Sequence, residues 1–217
     1  MSKEPKPSAK RMAHFQELVE HDSHFEAFGI SLAGMDEVGR GPLFGPVVTA
    51  CVMMPKEPLF PWMDDSKKLS EARREALYDQ ICCHALFVGV GEASAKEIDE
   101  YNILNATRLA MERAAEKAPA TLCLVDAVTG LHLPFPTRSI IHGDATSYHI
   151  AAASIVAKVT RDRMMKEYGA RYPEYGLERN MGYGTAEHMK ALREYGLVPE
   201  HRRSFLRKIR GEGESQA

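Results

Sequence analysis

The chain predicts an α/β layer fold, a mixed central β-sheet flanked by helices, on three observations. Strand-like segments come first and then alternate with helical ones, the order of a layered α/β domain. The first two, 28–35 and 47–54, are joined by a turn rich in glycine and proline, which suggests an antiparallel hairpin. Residues 146–167 have a helical pattern that is apolar on nearly every side, which fits only a buried helix. The 217 residues suffice for one domain with a small appendage and can bury a core without staples.

Residues 1–11, polar with Pro5 and Pro7, are expected to be disordered. Residues 12–27 are expected to form a short helix with Met12, Phe15, Leu18 and Val19 on one side. The strand over 28–35 should stop before Asp36 and Glu37, and the strand over 47–54 is a continuous apolar run. Ser70 is a plausible N-cap for a helix over 71–83, with Arg73 and Arg74 facing solvent. A third strand is expected over 85–90. Ser94 and Glu97 have the spacing of a capping box, and Asn102 opens a further helix to about 117, ended by Pro119. A fourth strand over 121–125 stops at Asp126, a short fifth covers 139–141, and the last helix spans 185–195.

No run approaches the roughly 20 apolar residues of a membrane helix, and Lys3, Lys6, Lys10 and Arg11 precede no apolar stretch, so no secretory signal is expected. Cys51, Cys82, Cys83 and Cys123 form no CxxC pair, the adjacent two read as packing residues, and a cytoplasmic location follows as the simplest expectation. The formal charge of −2 argues against a generic polycation, yet it is segregated: residues 1–150 hold 15 basic and 21 acidic residues, residues 151–217 hold 13 and 9.

Asp36, Glu37, Asp126 and Asp144 all fall at strand ends or in strand-exit loops, where α/β sheets collect chemistry. Four acids converging would repel one another unless a hard cation such as Mg²⁺ neutralised them; taken singly, each could equally cap a turn. Gly39, Gly41 and Gly45 are not in GxGxxG register and precede a strand, which rules out a dinucleotide fingerprint. They suit close backbone approach to a ligand, with Arg40 as a phosphate-compatible fork, or a plain hairpin turn. On the long helix, Ser147, Ala151, Ser154, Lys158 and Asp162 form one narrow stripe, readable as an active-site floor or as satisfied core hydroxyls beside a Lys158–Asp162 pair. Tyr183, between Gly182 and Gly184, is either an accessible stacking ring or a ring packed over a helix start.

Together these segments resemble ribonuclease HII, the bacterial type 2 ribonuclease H. The matching pieces are Asp36 to Pro42 with Gly45-Pro46-Val47, Asp65 to Leu69, Val125-Asp126, Gly143-Asp144-Ala145, residues 151–162, and Gly182 to Thr185 with His188. The resemblance implies a ribonuclease H-like core over 28–168, an N-terminal extension over 1–27 that is partly disordered, and a C-terminal helical extension with a basic tail over 169–217. It implies an endonuclease for RNA/DNA hybrids and for single ribonucleotides in duplex DNA, using two Mn²⁺ or Mg²⁺ ions and leaving 3′-OH and 5′-phosphate ends. Asp36, Glu37, Asp126 and Asp144 would hold the metals. Gly39, Arg40, Gly41 and Tyr183 would read the ribonucleotide and the sugar beyond it, and Lys67, Ser154 and Lys158 would meet the substrate. A monomer is expected, with nucleic acid as its partner. The related ribonuclease HIII typically has an extra N-terminal domain, for which 28 residues leave no room. A binding module that had lost its chemistry would lack one of the acids, and a small-molecule metallohydrolase would leave the Gly39–Gly41 turn and Tyr183 without a role. Ala127 stands where the family usually has glycine, Phe44 where it has a smaller residue and His142 where lysine is common. The basic run Arg202, Arg203, Arg207, Lys208 and Arg210 is expected to contact phosphates.

Overall fold

The computed structural model describes residues 7–57 and 59–209. Five strands form one mixed sheet in the order β3-β2-β1-β4-β5. β1 (Leu32–Val38), β2 (Val47–Met53) and β3 (Phe87–Ala93) make an antiparallel meander, while β4 (Leu122–Asp126) and β5 (Thr137–Ile140) join the other side of β1 in parallel. The expected hairpin and mixed sheet are both present. β1 begins later and runs further than its apolar stretch, so Asp36 and Glu37 lie inside the ladder, paired with Ala50 and Thr49. Phe28, expected in the strand, is 84% exposed in the preceding turn.

Two helices cover the sheet. α3 (Ala95–Ala115) packs Met111 and Ala114 against Met35, Cys51 and Val125 on one face. It opens with the Ser94–Glu97 capping box, and it bends at Asn102, whose side-chain oxygen accepts from the Leu104 and Asn105 amides as a second N-cap. The two helices expected here are both present, joined across the non-helical backbone of Asn102. On the other face lies α4 (Tyr148–Arg171), with Ile150 to Ala157 entirely buried. A side chain at Gly34 would stand 2.2 Å from the His149 carbonyl carbon, so a bare backbone on β1 is what lets the first turn of α4 rest on the sheet.

α1 (Ala9–Glu26) starts earlier than expected, capped by Ser8, and seats Phe15 and Leu18 in the core shared with α4 and α2 (Glu71–His84). Residues 1–6, part of the expected disordered segment, lie outside the described residues. Ser70 caps α2 as expected, but Arg73 and Arg74 do not face freely outward. The Arg73 guanidinium lies 4.2 Å over the Trp62 ring, and Arg74 donates to the Ser66 and Leu69 carbonyls. Cys82 and Cys83, read as packing residues, are exposed, whereas Cys51 and Cys123 are buried.

The C-terminal part adds α5 (Leu177–Asn180), α6 (Ala186–Tyr195) and α7 (Arg203–Ile209), of which only α6 has a clear pattern in the sequence. Phe44 is fully buried between them, edge-on to Tyr168, Tyr172, His188 and His201, and it forms an isolated β-bridge with His201. The large residue at this position is therefore the pin that joins the glycine-rich turn to the C-terminal segment. Among the described residues no helix is long and apolar enough to cross a membrane.

Candidate active site

Sheet register creates the centre. Met35 pairs with Val125 as the last pair of the parallel β1–β4 ladder, so the next residues, Asp36 and Asp126, stand side by side where the two strands part. Asp144 reaches them from the single 3₁₀ turn Gly143–Ala145 that leads into α4. One carboxylate oxygen from each of Asp36, Asp126 and Asp144 lies within 4.8 Å of the others. Asp126 accepts from the Gly143 amide at 2.7 Å, which ties the Asp144 turn to β4.

Glu37, the fourth expected member, is not in this trio. Glu37 follows Asp36 inside β1 and lines the same cleft. Its Oε1 accepts from Arg40 at 3.2 Å, and its Oε2 is buried with no hydrogen-bond partner among the described residues. It remains close enough for the Asp126 charge to act on it.

The electrostatics are those of a site short of positive charge. Burial, then the charges of Glu37 and Asp126, push the Asp36 carboxyl well above the usual range. Burial raises Glu37 against the opposing pull of Arg40. Asp144 is raised by burial and by the neighbouring Asp65 and Asp126, with Lys67 Nζ at 3.7 Å from it as a partial counterweight. Three clustered acid oxygens, an orphaned buried fourth and carboxyls driven toward protonation fit a hard divalent cation with oxygen ligands.

Beside the acids lies a cleft of about 290 Å³ whose wall includes Ser66, Lys67, Ser154, Lys158, Asn180 and Tyr183. Ser154 hydrogen-bonds both Asp36 and Ser66, the latter at 2.8 Å, so this hydroxyl lies in the cleft wall against one of the acids. Lys158 is engaged with Asp162, while Lys67 is 76% exposed at the rim. Tyr183 is half exposed, as an accessible ring requires. Arg40 is also partly exposed at its turn.

Several contributors escaped the sequence reading. Asp65 lies close enough for its charge to raise Asp144, and Arg179 and Asn180 belong to the short α5, which has no sequence signal beyond its charges. Arg161 had one: it is an arginine inside an otherwise apolar helix. The basic run must also be corrected. Arg202 is fully buried and donates to the Gly39, Arg40 and Gly45 carbonyls, so it is structural and not a phosphate contact. Arg203 and Arg207 are exposed, whereas Arg210 lies outside the described residues, as does the side chain of Lys208.

Ala127 has a left-handed backbone, φ 49°, and His142 likewise, φ 57°. A methyl group there opposes the conformation by about 1–2 kcal/mol, only part of which glycine would forfeit as chain entropy. Ala127→Gly should therefore raise stability by about 0.5–1 kcal/mol in urea denaturation. A lower midpoint would show that the methyl group is well accommodated.

A mixed sheet in this order, with carboxylates meeting at the ends of its two adjoining parallel strands, defines a ribonuclease H-like hydrolase. The ribonuclease H2 of Pyrococcus horikoshii OT3 is similar at TM-score 0.68 and 27% identity, over 85% of this chain and 99% of that one. Bst-RNase HIII in complex with Mn²⁺ shares the fold at TM-score 0.63 and 16% identity, over 99% and 77%. The chain itself belongs to the ribonuclease HII family, whose model matches residues 33–208. The ribonuclease HII of Geobacillus kaustophilus (strain HTA426) is 53% identical over 194 residues, 88% of this chain and 74% of that protein. The protein is thus a ribonuclease H, of a family that cleaves the RNA strand of RNA/DNA hybrids with divalent metal ions.

Proposed function

We propose that this enzyme also incises duplex DNA at single embedded ribonucleotides, with two Mn²⁺ or Mg²⁺ ions. The observation that carries the reading is the clustering of Asp36, Asp126 and Asp144 beside a cleft that Asp36 and Glu37 line together with the exposed Tyr183. Metals in such a site supply an activated water and neutralise the charge that develops on phosphorus and on the leaving oxygen. Asp36, Asp126 and Asp144 would hold them, with the unpartnered Oε2 of Glu37 completing the set. Water adds to phosphorus, the bond from phosphorus to the 3′-oxygen breaks, and that oxygen leaves as a 3′-OH while the phosphate stays on the 5′ side of the next nucleotide.

Discrimination needs a group that senses the 2′-hydroxyl, which both donates and accepts hydrogen bonds. The backbone of Gly39, Arg40 and Gly41 can approach it closely, and Tyr183 can stack on the adjoining deoxyribose. Lys67 at the rim offers charge to a phosphate oxygen. Ser154 keeps Asp36 oriented, and Lys158, held by Asp162, lines the wall without a free charge.

Purified protein with Mn²⁺ or Mg²⁺ should cut a duplex bearing one ribonucleotide and leave the all-DNA duplex intact. Tyr183→Ala should lower the first activity by about 10–100-fold, the worth of one stacking platform. Absence of incision with either metal would overturn the reading, and undiminished Tyr183→Ala activity would remove the ring from recognition.

A further inference from the structure

Two arginines are buried behind the cleft, Arg161 on α4 and Arg202 just before α7, at 1% and 0% exposure. A buried guanidinium ordinarily has a carboxylate partner. Neither has one within salt-bridge reach among the described residues; six backbone carbonyls take its place. Arg161 donates to Phe44 O (3.2 Å), Pro46 O (3.2 Å) and Met181 O (3.1 Å). Arg202 donates to Gly39 O (2.6 Å), Arg40 O (3.0 Å) and Gly45 O (2.8 Å). The acceptors belong to two short segments, the Gly39–Pro46 turn and the residue that precedes Gly182-Tyr183. The side chain of Arg161 also fills the space a Cβ on Gly39 would need, at 2.2 Å, and Gly39 has φ 90°.

In a trans peptide the carbonyl and the following N–H point in opposite directions. When Arg202 draws the Gly39 and Arg40 carbonyls inward, the amides of Arg40 and Gly41 are turned away from it. Neither amide has a hydrogen-bond acceptor among the described residues. We infer that Arg161 and Arg202 are positioning residues for substrate discrimination. Arg202 holds two consecutive peptides with their amides presented to the ligand, and Arg161 bridges this turn to the Tyr183 turn so that both readers keep one spacing. The inference rests on the reading of these two turns given under the proposed function. Further support comes from the Leu43 amide, which donates to the Gly182 carbonyl at 2.8 Å and links the same two turns directly. The two guanidiniums sit close to each other, and burial and the Arg161 charge bring Arg202 down to about 9.

Arg161→Lys and Arg202→Lys keep a charge but lose the three-way fork. With a single-ribonucleotide duplex, each should raise KM at least 10-fold while kcat stays within about threefold, and Mn²⁺ affinity by calorimetry should match wild type. In a Tyr183→Ala background, Arg161→Lys should add less than a twofold further loss, because its effect runs through that ring. A wild-type KM in a folded Arg202→Lys protein overturns the inference. So does a joint fall of kcat and Mn²⁺ affinity, which is the mark of general structural damage. If neither lysine variant folds, amide hydrogen exchange on the wild-type protein decides: the Arg40 and Gly41 amides should exchange openly alone and be protected in the duplex complex, and unprotected amides there overturn it. A wild-type enzyme that fails to incise the duplex refutes the proposed function instead.

Discussion

Asp126→Asn should abolish hydrolysis and, in the same protein, raise the melting temperature of the metal-free fold. The asparagine oxygen can still accept from the Gly143 amide, so the tie between β4 and the Asp144 turn survives. What disappears is one of the negative charges that raise Asp36, Glu37 and Asp144. Relief of that repulsion is worth on the order of 1 kcal/mol at the effective dielectric of a partly buried site, or about 2–4 °C for a chain of this size. The rate should fall by about 10³-fold or more, as when a charge-stabilising group is removed from a reacting centre. The pH dependence has a definite sign. Carboxyls that bind protons more tightly folded than unfolded weaken the metal-free fold at neutral pH, and stability returns as pH falls through their raised folded values toward about 4. Metal should reverse the order, giving wild type the higher melting temperature. A variant that keeps full turnover, or that melts lower than wild type without metal, would remove Asp126 from the centre.

Asp22→Ala should be the costliest single change outside the acids. Asp22 is buried and accepts from the Ser147 hydroxyl, the His149 amide and the His149 ring through Oδ2, and from His21 through Oδ1. It is a carboxylate at the positive end of α4, supplied by a different helix. Burial alone would raise its carboxyl, but the hydrogen bonds from His149 and His21 outweigh this and hold it down at about 2. Its contribution is therefore present above its unfolded value near 4 and lost as pH falls through about 2. Alanine removes these bonds and leaves buried donors unpaired, a loss of about 3 kcal/mol or a fall of roughly 6–12 °C in thermal unfolding near neutral pH. A shift below 1 °C would mean that α1 is not anchored through this residue.

Much of this fold could be read from patterns of period 2 and 3.6. The continuous apolar run of β2, the all-round apolar α4 and the capping residues Ser70, Ser94, Asn102 and Thr185 announce their elements locally. The errors arose where tertiary context overrides local pattern. β1 extends through Asp36 and Glu37 because its antiparallel ladder with β2 continues past the last β4 pair at Met35. Arg202 was grouped with a basic run expected to contact phosphates, since nothing nearby in sequence reveals that three carbonyls 157 to 163 residues away surround it. Asp36 and Asp126 were legible because each interrupts or ends an apolar strand, and Asp144 because it follows the short β5 closely. Asp22, on a helix with ordinary charged neighbours, gave no such signal.

The pairing of β1 with β4 also bears on when the molecule becomes chemically competent. The antiparallel meander β1-β2-β3 involves only the first 93 residues and can assemble early from near neighbours in the chain. That meander already carries Asp36 and Glu37, but Asp126 on β4 follows α3 in the chain, and Asp144 comes later still. A chain growing on the ribosome therefore has no complete carboxylate centre through most of its synthesis. The full set of acids arrives late, with the parallel half of the sheet and the turn before α4, so a product stopped before Asp144 lacks the centre.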